Sequence, residues 1–133
     1  MPNPLRFLEN KDFDIHGNIV RTDLPLTRSV VLFYSDGCPA CKRFKPTFEQ
    51  LKNIDNLNAN VLMVPVNNNS DLMPRMRRTW PFTVPFIPTV VSYDNGTYYS
   101  TYNYGQGESD KYRTLPDLIE YVRGIGNAPI QYM

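Results

Sequence analysis

Cysteine is almost missing from this chain. Two occur in 133 residues, Cys38 and Cys41, so no disulfide can tie distant segments together and any role for the pair is local. Histidine occurs once, at His16, and zinc takes about four ligands, commonly sulfur or nitrogen, so no metal site within the chain is expected. An excess of charge of one sign is lacking too: 14 Lys and Arg against 13 Asp and Glu leave a net charge of +1. No global field is present of the kind that recruits nucleic acid or an anionic membrane surface. The longest apolar runs, Val30 to Tyr34 and Val61 to Val66, fall far below the roughly 18–20 residues of a membrane helix. The start, Met1-Pro-Asn-Pro-Leu-Arg, breaks with prolines and charge the stretch of about 7–15 apolar residues that a secretory signal needs. The expectation is a cytoplasmic, soluble monomer with neither membrane nor nucleic acid as partner.

What is present suits one folded domain: 41% of residues are hydrophobic and 20% charged. A chain of this size buries roughly two thirds of its unfolded surface and needs no metal or structural disulfide to hold it. Residues 1–28 are polar with apolar islands around Phe13 to Val20, and Gly17-Asn18 marks a hairpin or loop. Ser29 to Ser35 is an unbroken β-branched and aromatic run, the pattern of a central parallel strand buried on both faces. From Pro39 the period changes, because Cys41, Phe44, Phe48 and Leu51 recur at helical spacing, with Pro39 in the first turn and Pro46 expected to bend the helix. Val61 to Val66 reads as a second strand, and Asp71 to Trp80 as a short helix limited by Pro74 and Pro81. Pro88 to Tyr93 and Thr97 to Tyr102, joined across Asp94-Asn95-Gly96, form a hairpin signal. Leu115, Leu118, Ile119, Val122 and Ile125 then line one face of a final helix capped by Thr114. The order predicts one α/β domain over 29–126, with 1–28 as an extension or first element and 127–133 as a tail.

Cys38 stands where the strand hands over to the helix, and unpaired backbone N–H groups at a helix start favour negative charge there. In such settings a thiol pKa falls from about 8.5 to roughly 3.5–7.5, which makes Cys38 the expected nucleophile. Cys41, one turn later, is placed to attack a mixed disulfide formed at Cys38. A bare C-x-x-C leaves two other readings open, an incidental pair or half of a metal site.

The residues around this dithiol resemble those of the thioredoxin superfamily over about residues 29–125. Pro46, five residues after Cys41, stands where thioredoxins carry a proline. Ile87-Pro88-Thr89 is similar to the family's cis-proline segment, and Asn95-Gly96 followed by Gly105 is similar to its hairpin and the glycine before the last helix. Val84-Pro85 is a rival for the cis bond, since Thr83-Val84-Pro85 is similar to the glutaredoxin segment. The resemblance implies a thioredoxin fold, a central mixed β-sheet flanked by helices. It implies thiol-disulfide exchange at Cys38 and Cys41, substrate binding by Ile87, Pro88, Gly37 and Pro39, and support of the site by Pro46. No bound cofactor is implied. The partners implied are protein disulfide substrates, with thioredoxin reductase or glutathione as electron donor. The chain departs from the family in carrying Gly37 in place of tryptophan and Leu32 at the position of a buried acid. Its Cys-Pro-x-Cys order is more similar to glutaredoxins and bacterial oxidases. Two alternatives follow, a glutaredoxin-like glutathione-dependent reductase and a non-catalytic thioredoxin-fold binding or structural module.

Three further features are read conservatively. Arg75, Arg77 and Arg78 are expected to be a solvated basic loop ahead of a carboxylate clamp, and Trp80 a core or loop-anchoring aromatic ahead of a docking residue. Tyr98, Tyr99, Tyr102 and Tyr104 are expected to cover one face of an edge strand. His16 is assigned no catalytic role.

Overall fold

A computed structural model of the chain describes residues 5–84, 86–102 and 114–126. Its strands are β1 (Leu5–Phe7), β2 (Arg28–Tyr34), β3 (Asn60–Pro65), β4 (Thr89–Asp94) and β5 (Thr97–Thr101). Its α-helices among the described residues are α1 (Pro39–Glu49), α2 (Leu72–Thr79) and α3 (Leu115–Arg123). The five strands form one sheet in the order β1-β3-β2-β4-β5. β1, β3 and β2 run parallel, while β4 is antiparallel to β2 and β5 antiparallel to β4.

The apolar run of β2 is explained by its central place, because a strand covered on both faces cannot alternate with polar residues. Successive side chains point to opposite faces. Val30, Leu32 and Tyr34 join Val61, Met63 and Val90 under α1 and α3, where Cys41, Phe44, Phe48, Leu118 and Val122 complete the first core. Val31 and Phe33 join Leu62, Val64, Val91 and Tyr93 on the other side, beneath Leu72 and Met76 of α2 and Leu8, Phe13 and Ile19 of the N-terminal segment. The helical face read from the sequence at Cys41, Phe44, Phe48 and Leu51 is buried as expected. Thr114 caps α3, its side chain accepting the backbone N–H of Asp117. A half-buried hydroxyl cluster fastens that helix to the sheet. The Tyr121 hydroxyl lies 3.0 Å from Ser92 Oγ and 2.9 Å from Ser100 Oγ, and burial pushes its pKa up to about 12.

Residues 5–27 hold more structure than their polar composition suggests. β1 adds a strand beside β3, and Phe13 pairs with Ile19 around a turn containing Gly17. This turn straps the β4–β5 hairpin. Ile19 N–H donates to the Gly96 carbonyl at 2.8 Å, Tyr98 N–H to Asn18 Oδ1 at 2.9 Å, and the buried Tyr93 hydroxyl to the Gly17 carbonyl at 3.0 Å. The hairpin turn at Asn95-Gly96 has positive φ at both residues, 55° and 83°, as its sequence requires.

The tyrosines correct the sequence expectation. Tyr98 packs on the strap-side core and stacks on Phe82 at 3.8 Å between ring centroids, whereas Tyr99 and Tyr102 pack against the core beneath α1 and α3. Neighbouring strand residues face opposite ways, so the pair Tyr98-Tyr99 serves both faces of the edge strand. Tyr104, Gly105, Gly107 and Pro85 lie outside the described residues, as does the tail at 127–133.

Candidate active site

β2 ends at Tyr34, and the chain turns through Asp36-Gly37 with the Cys38 N–H donating to the Ser35 carbonyl at 3.2 Å. Cys38 is the N-cap of α1, with extended φ and ψ of −88° and 117°. Its sulfur accepts the Cys41 N–H at 3.2 Å, and its carbonyl accepts the Lys42 N–H at 3.0 Å. Pro39 occupies the first helical position, where a backbone donor has no intrahelical partner to lose. The two cysteines sit in unlike surroundings: Cys38 is half-buried, whereas Cys41 is 1% exposed among Leu32, Tyr34 and Phe44. Residues three apart at a helix start have Cβ atoms about 5–6 Å apart, so a modest adjustment closes the pair into a disulfide.

The segment before β4 comes up against this helix start. The Ile87–Pro88 bond is cis, and the Cys38 thiol faces the Ile87 carbonyl at 3.9 Å. Pro88 is buried. The Ile87 side chain packs against both cores, so its backbone is what it presents to the sulfur. Gly37 is exposed, and a Cβ built on it would meet nothing within 4 Å, which leaves open space on that side of Cys38.

Gly37, Pro39, Cys38, Cys41 and Ile87 are therefore brought together. Pro46 is not among them. It lies inside α1, exposed, about 12 Å along the helix from Cys38, and α1 runs from Pro39 to Glu49 without interruption at it. Lys45, one of the cations on this helix, sits with its Nζ 4.8 Å from the centroid of the Tyr34 ring. Burial, followed by the carboxylates of Asp36 and Glu49, raises the Tyr34 phenol above its ordinary range.

One brace at the site had no signal in the sequence. Asp36 N–H donates to Asn67 Oδ1 at 3.2 Å, and Asn67 Nδ2 donates to Asp36 Oδ2 at 3.3 Å, linking the turn before Cys38 to the loop after β3. A run of asparagines reads only as a loop until its partner across 31 residues is known.

Within the basic segment Arg77 and Arg78 are solvent-exposed, as the favoured reading expects, whereas Arg75 has a role that was not weighed for it. Arg75 lies on α2 and its guanidinium donates to the Asn10 carbonyl and Oδ1, both at 2.8 Å, and to the Phe13 carbonyl at 2.6 Å. It is a fastener for the N-terminal strap, while Arg77 and Arg78 are exposed. Trp80 is buried against Phe13 and Phe82, with centroids at 5.1 and 5.3 Å. Arg75→Ala is expected to lower stability by about 2 kcal/mol, because part-buried acceptors lose a charged donor. Arg77→Ala and Arg78→Ala should each stay within about 0.5 kcal/mol. Urea denaturation midpoints measure all three, and equal shifts would remove the fastener role.

Among the described residues no helix is long and apolar enough to cross a membrane. A family model described as Thioredoxin matches residues 9–117. A search of curated protein sequences finds no significant match. Among solved structures, the zinc-bound form of human ERp44 is similar with a TM-score of 0.61 and 21% identity, over 90% of this chain and 30% of that one. The chain thus spans about a third of ERp44's length. Thioredoxin Mala s 13 of Malassezia sympodialis aligns with a TM-score of 0.59 and 18% identity, over 92% of this chain and 95% of that one. A mutant thioredoxin from Halobacterium salinarum gives 0.56 and 21%, over 92% and 93%. These likenesses establish a thioredoxin fold, a five-stranded mixed sheet flanked by helices. With the family model spanning most of the sequence, the chain belongs to the thioredoxin family and carries that family's C-x-x-C pair at Cys38 and Cys41.

Proposed function

We propose that the chain is a thiol-disulfide oxidoreductase that exchanges disulfides with protein substrates. The observation that carries this reading is the asymmetry of the dithiol: a half-buried Cys38 whose sulfur accepts a helix-start N–H, and a Cys41 that is 1% exposed. A hydrogen bond donated to sulfur favours the thiolate, which is the attacking species. The Cys38 thiolate attacks a substrate disulfide, forming a mixed disulfide and expelling one substrate sulfur as thiolate. Cys41, as thiolate, then attacks the Cys38 sulfur, closing the Cys38–Cys41 bond and releasing the second substrate thiolate. Two electrons and two protons pass from the dithiol to the substrate, and the reverse sequence oxidises it. Sulfur alone carries the chemistry, so no bound cofactor takes part. The backbone at Ile87 and Pro88 receives the substrate chain, with Gly37 and Pro39 on the opposite rim.

Insulin reduction, followed by precipitation of the released chain, tests this reading with two electron donors, thioredoxin reductase with NADPH and glutathione with its reductase. Turnover with the first supports a thioredoxin-like reductase. Turnover with glutathione alone assigns the chain to the glutaredoxin-like alternative. Failure with both donors, and with dithiothreitol, would leave a non-catalytic module.

A further inference from the structure

The segment from Trp80 to Pro88 reaches Cys38 with most of its apolar side chains turned inward. Trp80, Phe82 and Val84 are buried in the strap-side core, and Ile87 packs against both cores. Phe86 differs from them in its exposure, with 53% of its surface open to solvent. It is one residue from Ile87, about 3.8 Å along the chain, and the Ile87 carbonyl lies 3.9 Å from the Cys38 sulfur. Its own carbonyl accepts the Thr89 hydroxyl, which pins the backbone that carries the ring. Gly37, Pro39 and Ala40, the residues flanking the sulfur, are uncharged and small or apolar, and the space beside Gly37 is open. An exposed aromatic held on a loop anchored on both sides loses little entropy on contact, which is how a recognition residue differs from an incidental surface phenylalanine.

We infer that Phe86 is a specificity-determining contact that selects disulfides whose reacting cysteine is flanked by an apolar residue in an extended polypeptide. This rests on the exchange reading above and adds the substrate class to it. The substrate's apolar side chain lies on the Phe86 ring while its cysteine meets Cys38. Anionic and small hydrophilic disulfides gain nothing from that surface.

The test uses two short peptides with one cysteine each, blocked as a 2-thiopyridyl disulfide, one with leucine and one with serine beside the cysteine. Release of thiopyridone from each reports attack on the peptide sulfur. The reduced wild-type protein should favour the leucine peptide about fivefold, the discrimination expected when a leucine buries part of its surface on a ring. Phe86→Ser should bring the ratio to about one, Phe86→Leu should keep most of it, and all three proteins should react alike with bis(2-hydroxyethyl) disulfide, a small hydrophilic disulfide. A preference that survives in Phe86→Ser, or a wild type that treats both peptides equally while reacting with bis(2-hydroxyethyl) disulfide, overturns the inference and leaves the exchange reading standing. A wild type inert towards all three disulfides removes both.

Discussion

Cys41→Ser is expected to hold partner proteins covalently, while Cys38→Ser holds none. With serine at position 41 the first attack still occurs, because Cys38 keeps its place at the helix start and the backbone N–H of residue 41 still points at its sulfur. The second attack has lost its sulfur, so the mixed disulfide persists until an external thiol arrives. With serine at 38 the accessible thiol is gone, and the thiol that remains is 1% exposed on the buried face of α1. Exchange with insulin should then fall by on the order of 10³-fold or more, the scale on which removal of a nucleophile acts. Both variants should fold, since serine is close in size to cysteine and the Cys38 position is half-buried. Capture on a thiol resin charged with cell extract, eluted with dithiothreitol, reads the first effect. Equal capture by the two variants would defeat the ordered mechanism.

The second large effect is predicted far from the thiols. Gly17→Ala should destabilise the protein by about 3 kcal/mol, with a melting temperature roughly 10 °C lower. Gly17 has φ of +80°, and a Cβ on it would lie 2.5 Å from Trp80 Cδ2 and 2.9 Å from Phe82 Cε1. Those rings cannot give way easily, because Trp80 also meets Phe33 at 6.3 Å and Phe82 stacks on Tyr98. Backbone cost and overpacking therefore add. Gly37→Ala is the internal comparison: it has open space for a Cβ and should change stability by under about 0.5 kcal/mol. Thermal unfolding of both variants measures the contrast, and a Gly17→Ala protein as stable as the wild type would mean that the strap does not pack as described.

The contrast between those two glycines also marks how much could be read from the amino acids alone. Elements whose signal is local were legible: the buried run of β2, the helical face through Cys41 and Phe48, the Asn95-Gly96 turn, and the Thr114 cap. The placement of the dithiol was legible for the same reason, since the setting of Cys38 depends on one strand end and one helix start. Gly17 was not, because its need for glycine arises from rings 63 and 65 positions later in the chain. Arg75 looked like a solvent-facing cation because its acceptors, two backbone carbonyls and the Asn10 side chain, lie 62 and 65 residues away, and nothing local in the sequence points to them. Phe86 was unreadable from the opposite direction. It sits among phenylalanine, tryptophan and valine that are all core, and only burial separates it from them.

The strap has a consequence for how the chain is made. Its last anchor points lie in the hairpin strands, which leave a ribosome long after it does: Asn18 waits for Tyr98, 80 residues later, and Gly17 for Tyr93, 76 residues later. At about 5–20 residues per second, the first of these contacts becomes available roughly 4–16 s after its N-terminal half emerges. Throughout that interval Leu8, Phe13 and Ile19, all destined for burial, have no complete sheet to cover. The nascent protein therefore exposes its stickiest N-terminal residues longest, and an early-binding chaperone would meet the strap before it met the dithiol helix in its folded place.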